Sequence, residues 1–437
     1  RWPRSVWRTQ EACAARSGDI VAGKMPSSLS SSCGTARVSA KPAWVWTKHD
    51  TPPPEPRGNA VGNEGQLHEM LSAHDGQAVS RVSSYWCRFQ DSIIKSVRRR
   101  GIDQLRATDV PRNFARFVAG NYFTLVKRLT LCSSQFSLVE RCLSRGFRLL
   151  TKLIPSLARF DIVTLLRTLD RDAQELRNSV CSQTLYICQL LDHDGELAKI
   201  EDSGVGAPGD AFCSDGKQYT LSLLSKFAMY LWLKRQIEFR GIKNFVEVGC
   251  GIGMHAEVLV KTNPQLRCVL VDIAPQIYLC QEYLTAVFRD KSVLGYDAVR
   301  DLDVVSDDVI GQNVCTFLLP SMLERVSWPV DLFYNAASFQ EMEEETVAAY
   351  CEQICRLECR FVYLMNTKHS VPYQDGVRHL GYTGYLHYLS NDYRVIAEEP
   401  ARILPAIHRW HWQGTLAPEM SGTRLDYHHL LLARNTQ

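Results

Sequence analysis

The chain has 437 residues, 45% hydrophobic and 22% charged, with 50 Lys/Arg against 47 Asp/Glu, an ordinary balance for a soluble protein of two or three domains. No run of 18 or more apolar residues appears and the first thirty lack an apolar signal core, so neither a membrane span nor secretion is expected, and the cytoplasm is the expected location. Residues 1–100 carry 15 Lys/Arg against 8 Asp/Glu, which leaves the remainder mildly acidic, without a basic patch for nucleic acid.

Residues 1–80 hold a Ser-rich tract at 27–32, the run Thr51-Pro-Pro-Pro-Glu-Pro56 and few aliphatic residues at helical spacing, so a disordered tail is expected. Its Arg/Ser-rich start at Arg1 resembles a transit peptide only loosely and reads as a fragment or as upstream sequence without a structural role. A mainly helical region, 81–219, follows. Trp86, Phe89, Ile93, Ile94 and Val97 recur three to four apart before Gly101, further helices are expected at Pro111–Val126 and Leu138–Ile154, and a helical block at Asp172–Leu197 gives way to a loop at Asp202–Asp210.

From 220 to 437 the pattern alternates. A helix over Thr220–Arg240 leads into the strand beginning at Phe245. The strand ending at Asp272, the helix Pro275–Asp290 and strands at Asn313–Leu319, Val330–Ser338 and Arg360–Asn366 follow, and Tyr393–Glu399 with Tyr427–Ala433 form a final pair. This predicts an α/β fold, a Rossmann-like doubly wound sheet carrying a helical N-terminal region. Cys351, Cys355 and Cys359, four apart, are expected on one buried helical face. With 15 cysteines and no CxxC pair, reduced thiols are expected, and no metal site.

Phe245-Val-Glu-Val-Gly-Cys-Gly-Ile-Gly-Met-His255 reads as a strand, a glycine-rich turn and a helix start. Gly249, Gly251 and Gly253 free the backbone to bend and let a ligand approach, and Asp272 stands where a carboxylate grips ribose hydroxyls. Gly251-Ile-Gly253-Met-His-Ala256 also fits the GxGxxA of a dehydrogenase. Glu247 argues against that reading, because a carboxylate beside the turn repels a pyrophosphate but attracts the cationic amino-acid end of S-adenosyl-L-methionine.

The ExGxGxG pattern with Asp272 resembles the first two motifs of class I S-adenosylmethionine-dependent methyltransferases. Ser338-Phe-Gln-Glu-Met342, together with Ser84-Tyr-Trp86, Gly101 and Asn366 before a Tyr-rich loop, is similar to the sugar O-methyltransferase family over residues 81–437. The resemblance implies a class I methyltransferase type of sheet with its last strand antiparallel. It also implies methyl transfer to a hydroxyl of a carbohydrate or other acceptor. The 57 residues between Asp272 and Val330 show no acidic adenine-binding motif.

Glu341 and His369 are the candidate bases for deprotonating a hydroxyl, with His379 and His387 behind them. Glu341 also fits a capping box with Ser338. Asn335 and Ser338 are candidates for the cofactor, and Gln340, Asn366 and Tyr373 for the acceptor. Seven of the 12 histidines lie between His369 and His429, among Tyr382, Tyr385, Tyr388, Trp410 and Trp412, and read either as a carbohydrate site or as partly buried structural residues. His428 and His429 fall on opposite faces of a strand, which disfavours a metal pair. Rival readings are a methyltransferase for a non-sugar metabolite, lipid or protein, a non-catalytic binding module, and a nicotinamide dehydrogenase.

Overall fold

Asn244–Val248 (β1) is buried along its whole length, as a central strand covered on both faces must be. The computed structural model describes residues 64–73, 86, 90, 93, 94, 101–106, 181, 182, 184–208, 211–372, 378–401 and 426–435. Around β1 lie Arg267–Val271 (β2), Val293–Leu294 (β3), Cys315–Leu318 (β4), Leu332–Ala336 (β5), Phe361–Thr367 (β6), Tyr393–Pro400 (β7) and Tyr427–Arg434 (β8). They form one sheet in the order β7-β8-β6-β5-β1-β2-β4-β3. All run parallel except β8, which is inserted antiparallel between β6 and β7.

The chain therefore winds outward from β1 through β2, then returns to the other side of β1 with β5. That reversal opens a crevice at the carboxyl ends of β1 and β5, where doubly wound sheets bind ligands. The expected elements from Thr220 onward are present. The helices are Leu221–Gln236 (α2), Met254–Thr262 (α3), Ala274–Val287 (α4) and Glu344–Arg356 (α5). Thr220 starts α2 by accepting a hydrogen bond from Leu223 N at 3.2 Å.

Two features differ from the sequence reading. Glu64–Ser72 (α1) is a helix inside the stretch expected to be disordered. Leu67 and Met70, three apart, are buried, α1 packs on α4, and Gln66 receives a hydrogen bond from Gln281 at 2.9 Å. Second, α5 ends before Cys359. Glu358 takes a left-handed φ of 52°, and the N–H groups of Glu358 and Cys359 return to Cys355 O and Ile354 O, a Schellman stop that leaves only Cys351 and Cys355 on the helix. The loop expected at Asp202–Asp210 is a loop over its described residues, pinned where Asp202 is wholly buried against Arg106. The helices expected at Pro111–Val126 and Leu138–Ile154 lie outside the described residues.

Candidate active site

The glycine turn divides its labour. Gly249, Gly251 and Gly253 all have positive φ, at 76°, 57° and 85°. A Cβ on Gly249 would lie 2.1 Å from Ser338 Oγ, and one on Gly253 would lie 2.6 Å from Leu284 Cδ1. Those two make room for protein. Of the three, only Gly251 has nothing within 4 Å of an added Cβ among the described residues, so it is the position at which a ligand can approach the backbone. Asp272, at the end of β2, fixes the turn by accepting from Gly251 N at 2.7 Å and from Ile273 N at 2.8 Å. Its surface is partly open, yet heavy atoms crowd it and raise its carboxyl to about 7, against the pull of those two N–H groups.

Glu247 is 1% exposed. Its Oε1 lies 2.9 Å from His255 Nδ1, but neither carboxylate oxygen accepts a well-aligned hydrogen bond. Burial drives its pKa well above the usual carboxylate range; the charge of Lys226 opposes the rise and that of Asp272 adds to it. His255 Nε2 in turn lies 3.3 Å from Met229 Sδ, and burial holds the ring neutral, with its pKa well below the usual value. Sequence reasoning assigned no role to His255, Met229 or Lys226. Only the position of His255 just past the glycine turn was a signal.

Across the crevice, β5 ends in strained backbone. Ala337 has φ 59°, unusual for a residue with a Cβ, and its N–H donates to Met365 O at 2.8 Å, an arrangement that seats Ser338 against Gly249. Asn335, fully buried, donates to Val248 O at 2.9 Å while its Oδ1 accepts from Phe339 N and Asn366 Nδ2, both at 3.1 Å. It stitches β5 to β1 and β6. Buried Gln340 likewise donates to the Tyr427 hydroxyl at 2.8 Å and accepts from Thr367 N at 3.1 Å.

Ser338 makes no side-chain cap and Glu341 closes a short 3-10 turn, so the capping box suggested by Ser338-x-x-Glu341 does not form. Glu341 Oε2 instead accepts from Trp86 Nε1 at 3.0 Å. Burial raises its carboxyl to about 8, the Trp86 hydrogen bond opposes that rise, and the charge of Asp272 adds to it. Glu341 follows β5 and Asp272 follows β2, the two strands that flank β1.

His369 follows β6 and is exposed, as is His387, whose ring lies 3.9 Å from that of Tyr388. Tyr382 and Tyr385 are buried, the latter edge-on to Phe339, so both belong to the core and present no stacking face. His428 and His429 do point to opposite faces: His428 lies beside Glu398 and Asp426, while His429 stacks on Trp232 and contacts the Tyr363 hydroxyl at 2.7 Å. Tyr373, Trp410, Trp412 and the His379 side chain lie outside the described residues.

The antiparallel β8 beside β6 is the feature that separates this sheet from a wholly parallel dinucleotide-binding one. The fold is Rossmann-like, of the class I methyltransferase type. No family model and no curated protein matches the chain. Solved structures similar to it include magnesium protoporphyrin IX methyltransferase from Synechocystis PCC 6803 with bound SAM, at 13% identity over 49% of this chain and 80% of that one, TM-score 0.31. The mitomycin 7-O-methyltransferase is 11% identical over 80% of this chain and 99% of its own, TM-score 0.33. A mycolic acid cyclopropane synthase complexed with SAH and CTAB is 12% identical over 48% and 85%, TM-score 0.33.

Proposed function

We propose that the chain is an S-adenosylmethionine-dependent O-methyltransferase whose cofactor binds in the crevice between β1, β2 and β5. One observation carries this reading: a buried carboxylate without a well-aligned hydrogen bond, Glu247, stands behind a turn whose middle glycine, Gly251, faces open space. A cationic amino group answers the first feature and a nucleoside lying close to the backbone answers the second. Asp272 keeps free lone pairs for ribose hydroxyls at the rim. Ser338 and Asn335 act mainly by shaping the crevice, since Ser338 packs on Gly249 and Asn335 is spent on backbone and Asn366.

The cofactor supplies a methyl group already activated on a sulfonium. The protein must hold an acceptor hydroxyl in line with it, worth roughly 7–11 kcal/mol of barrier, and take the hydroxyl proton, worth roughly a hundredfold to ten-thousandfold. Glu341 is the proposed base, because its buried carboxyl titrates near the working pH beside the crevice. Exposed His369 is the weaker candidate.

The sugar acceptor rests on the resemblance of Ser338-Phe-Gln-Glu-Met342 and its companion motifs, with Asn366 and Tyr373 as the proposed acceptor-side residues; Gln340, buried and spent on Tyr427 and Thr367, serves the core instead. Calorimetry with S-adenosylhomocysteine, and with NAD as control, tests the cofactor. Labelled-methyl transfer to glycans set against small hydroxyl acceptors tests the substrate. Binding of NAD in place of S-adenosylhomocysteine would overturn the reading, and labelling confined to small acceptors would overturn its sugar part.

A further inference from the structure

Lys226 sits on α2, one turn before Met229 on the same helical stripe. Met229 Sδ touches His255 Nε2 at 3.3 Å and lies 3.9 Å from the Tyr334 hydroxyl, and His255 Nδ1 reaches Glu247 at 2.9 Å. The stripe therefore faces the corner holding the buried carboxylate. Lys226 is half-buried and forms no hydrogen bond or direct ion pair among the described residues. Burial disfavours its ammonium and the charge of Glu247 favours it, while its own charge disfavours protonation of His255.

Lys226, on the stripe that carries Met229 against His255, and Glu247, whose oxygens accept no well-aligned hydrogen bond, leave one donor and one acceptor in this corner for a ligand to answer. A free α-amino acid zwitterion does this, offering a carboxylate to the first and an ammonium to the second. We infer that Lys226 binds the carboxylate of the cofactor's amino-acid end while Glu247 takes its ammonium. This rests on the cofactor reading above and adds a residue to it. His255, neutral and with Nδ1 2.9 Å from Glu247, packs beside the carboxylate without adding charge to the corner.

The test is calorimetric and needs no turnover. Wild-type and Lys226→Met chains are titrated with S-adenosylhomocysteine, with its decarboxylated analogue S-adenosylthiopropylamine, and with 5′-methylthioadenosine, which lacks the whole amino-acid end. The wild type is expected to lose roughly tenfold to a hundredfold in affinity when the carboxylate is removed, the range for a hydrogen bond to a charged group. Lys226→Met should bind S-adenosylhomocysteine that much more weakly, no longer distinguish it from the amine, and keep wild-type affinity for methylthioadenosine. A variant that still discriminates by the wild-type factor, or that loses methylthioadenosine equally, overturns the assignment. A wild type that binds none of the three sinks the cofactor reading and this inference together.

Discussion

Trp86 and Glu341, 255 residues apart, share a hydrogen bond from the indole Nε1 to carboxyl Oε2 at 3.0 Å. The contact ties the N-terminal region to the carboxyl edge of the sheet at the proposed base. It also fixes one carboxyl oxygen, leaving the other to meet an acceptor. Glu341→Gln keeps the shape and an acceptor for the indole but removes the proton acceptor. Affinity for S-adenosylhomocysteine should be unchanged and kcat should fall roughly a hundredfold to ten-thousandfold. Unchanged kcat would remove Glu341 from the chemistry.

The pH dependence of kcat follows from the same carboxyl. A base must be ionised, so turnover should rise with pH through an apparent value of about 8. The Trp86 hydrogen bond favours the ionised form, so Trp86→Phe should move that rise to higher pH. A pH profile that does not move in Trp86→Phe would show that the indole contact is only packing.

Stability carries the same signature with the opposite sign. The folded Glu341 holds its proton up to about 8, far above the unfolded value, so the native state binds more protons and loses stability as pH rises across that range. Below about pH 6.5 the buried neutral histidines His255 and His429 work the other way, so pH 6.5–8 is the window; Asp272, raised to about 7, and raised Glu247 act there with the same sign in both chains, so the difference between the chains isolates Glu341. There Tm should fall more steeply for wild type than for Glu341→Gln in the absence of ligand. Parallel Tm curves would contradict the raised carboxyl.

Gly251→Ala and Gly253→Ala should separate binding from folding. At Gly251 the added methyl meets nothing and costs about 1–2 kcal/mol of left-handed strain, but it occupies the ligand's approach. Its denaturation midpoint should shift modestly while S-adenosylhomocysteine binding is lost. At Gly253 the methyl strikes Leu284 and Cys280, so stability itself should drop. Thermal melts beside calorimetry read both.

Arg106 and Asp202 form a bidentate pair at 3.0 and 2.6 Å, with Thr220 and Gly204 N also bonded to the carboxylate. Removing the guanidinium strands a wholly buried charge. Arg106→Ala should therefore cost about 3–5 kcal/mol, measured by urea unfolding. A cost below about 1 kcal/mol, the level of an exposed pair, would contradict that burial.

The sequence by itself determined the sheet. Continuous apolar runs such as Cys268–Val271 and Phe361–Met365, punctuated by glycine, proline and charged loops, dictate β-α alternation because a parallel strand must be buried on both faces. The turn's glycines were legible because positive φ demands them. What those glycines face was not, since only packing decides that Ser338 fills the space over Gly249 and that no described residue fills the space over Gly251. Glu341 was legible as a candidate base, but its Trp86 partner, and the placement of Lys226 and Arg106, were hidden for the same reason. A side chain's charge state and partner come from neighbours brought together by the fold, here from positions such as Trp86, Glu247 and Asp202, and local spacing carries no record of them.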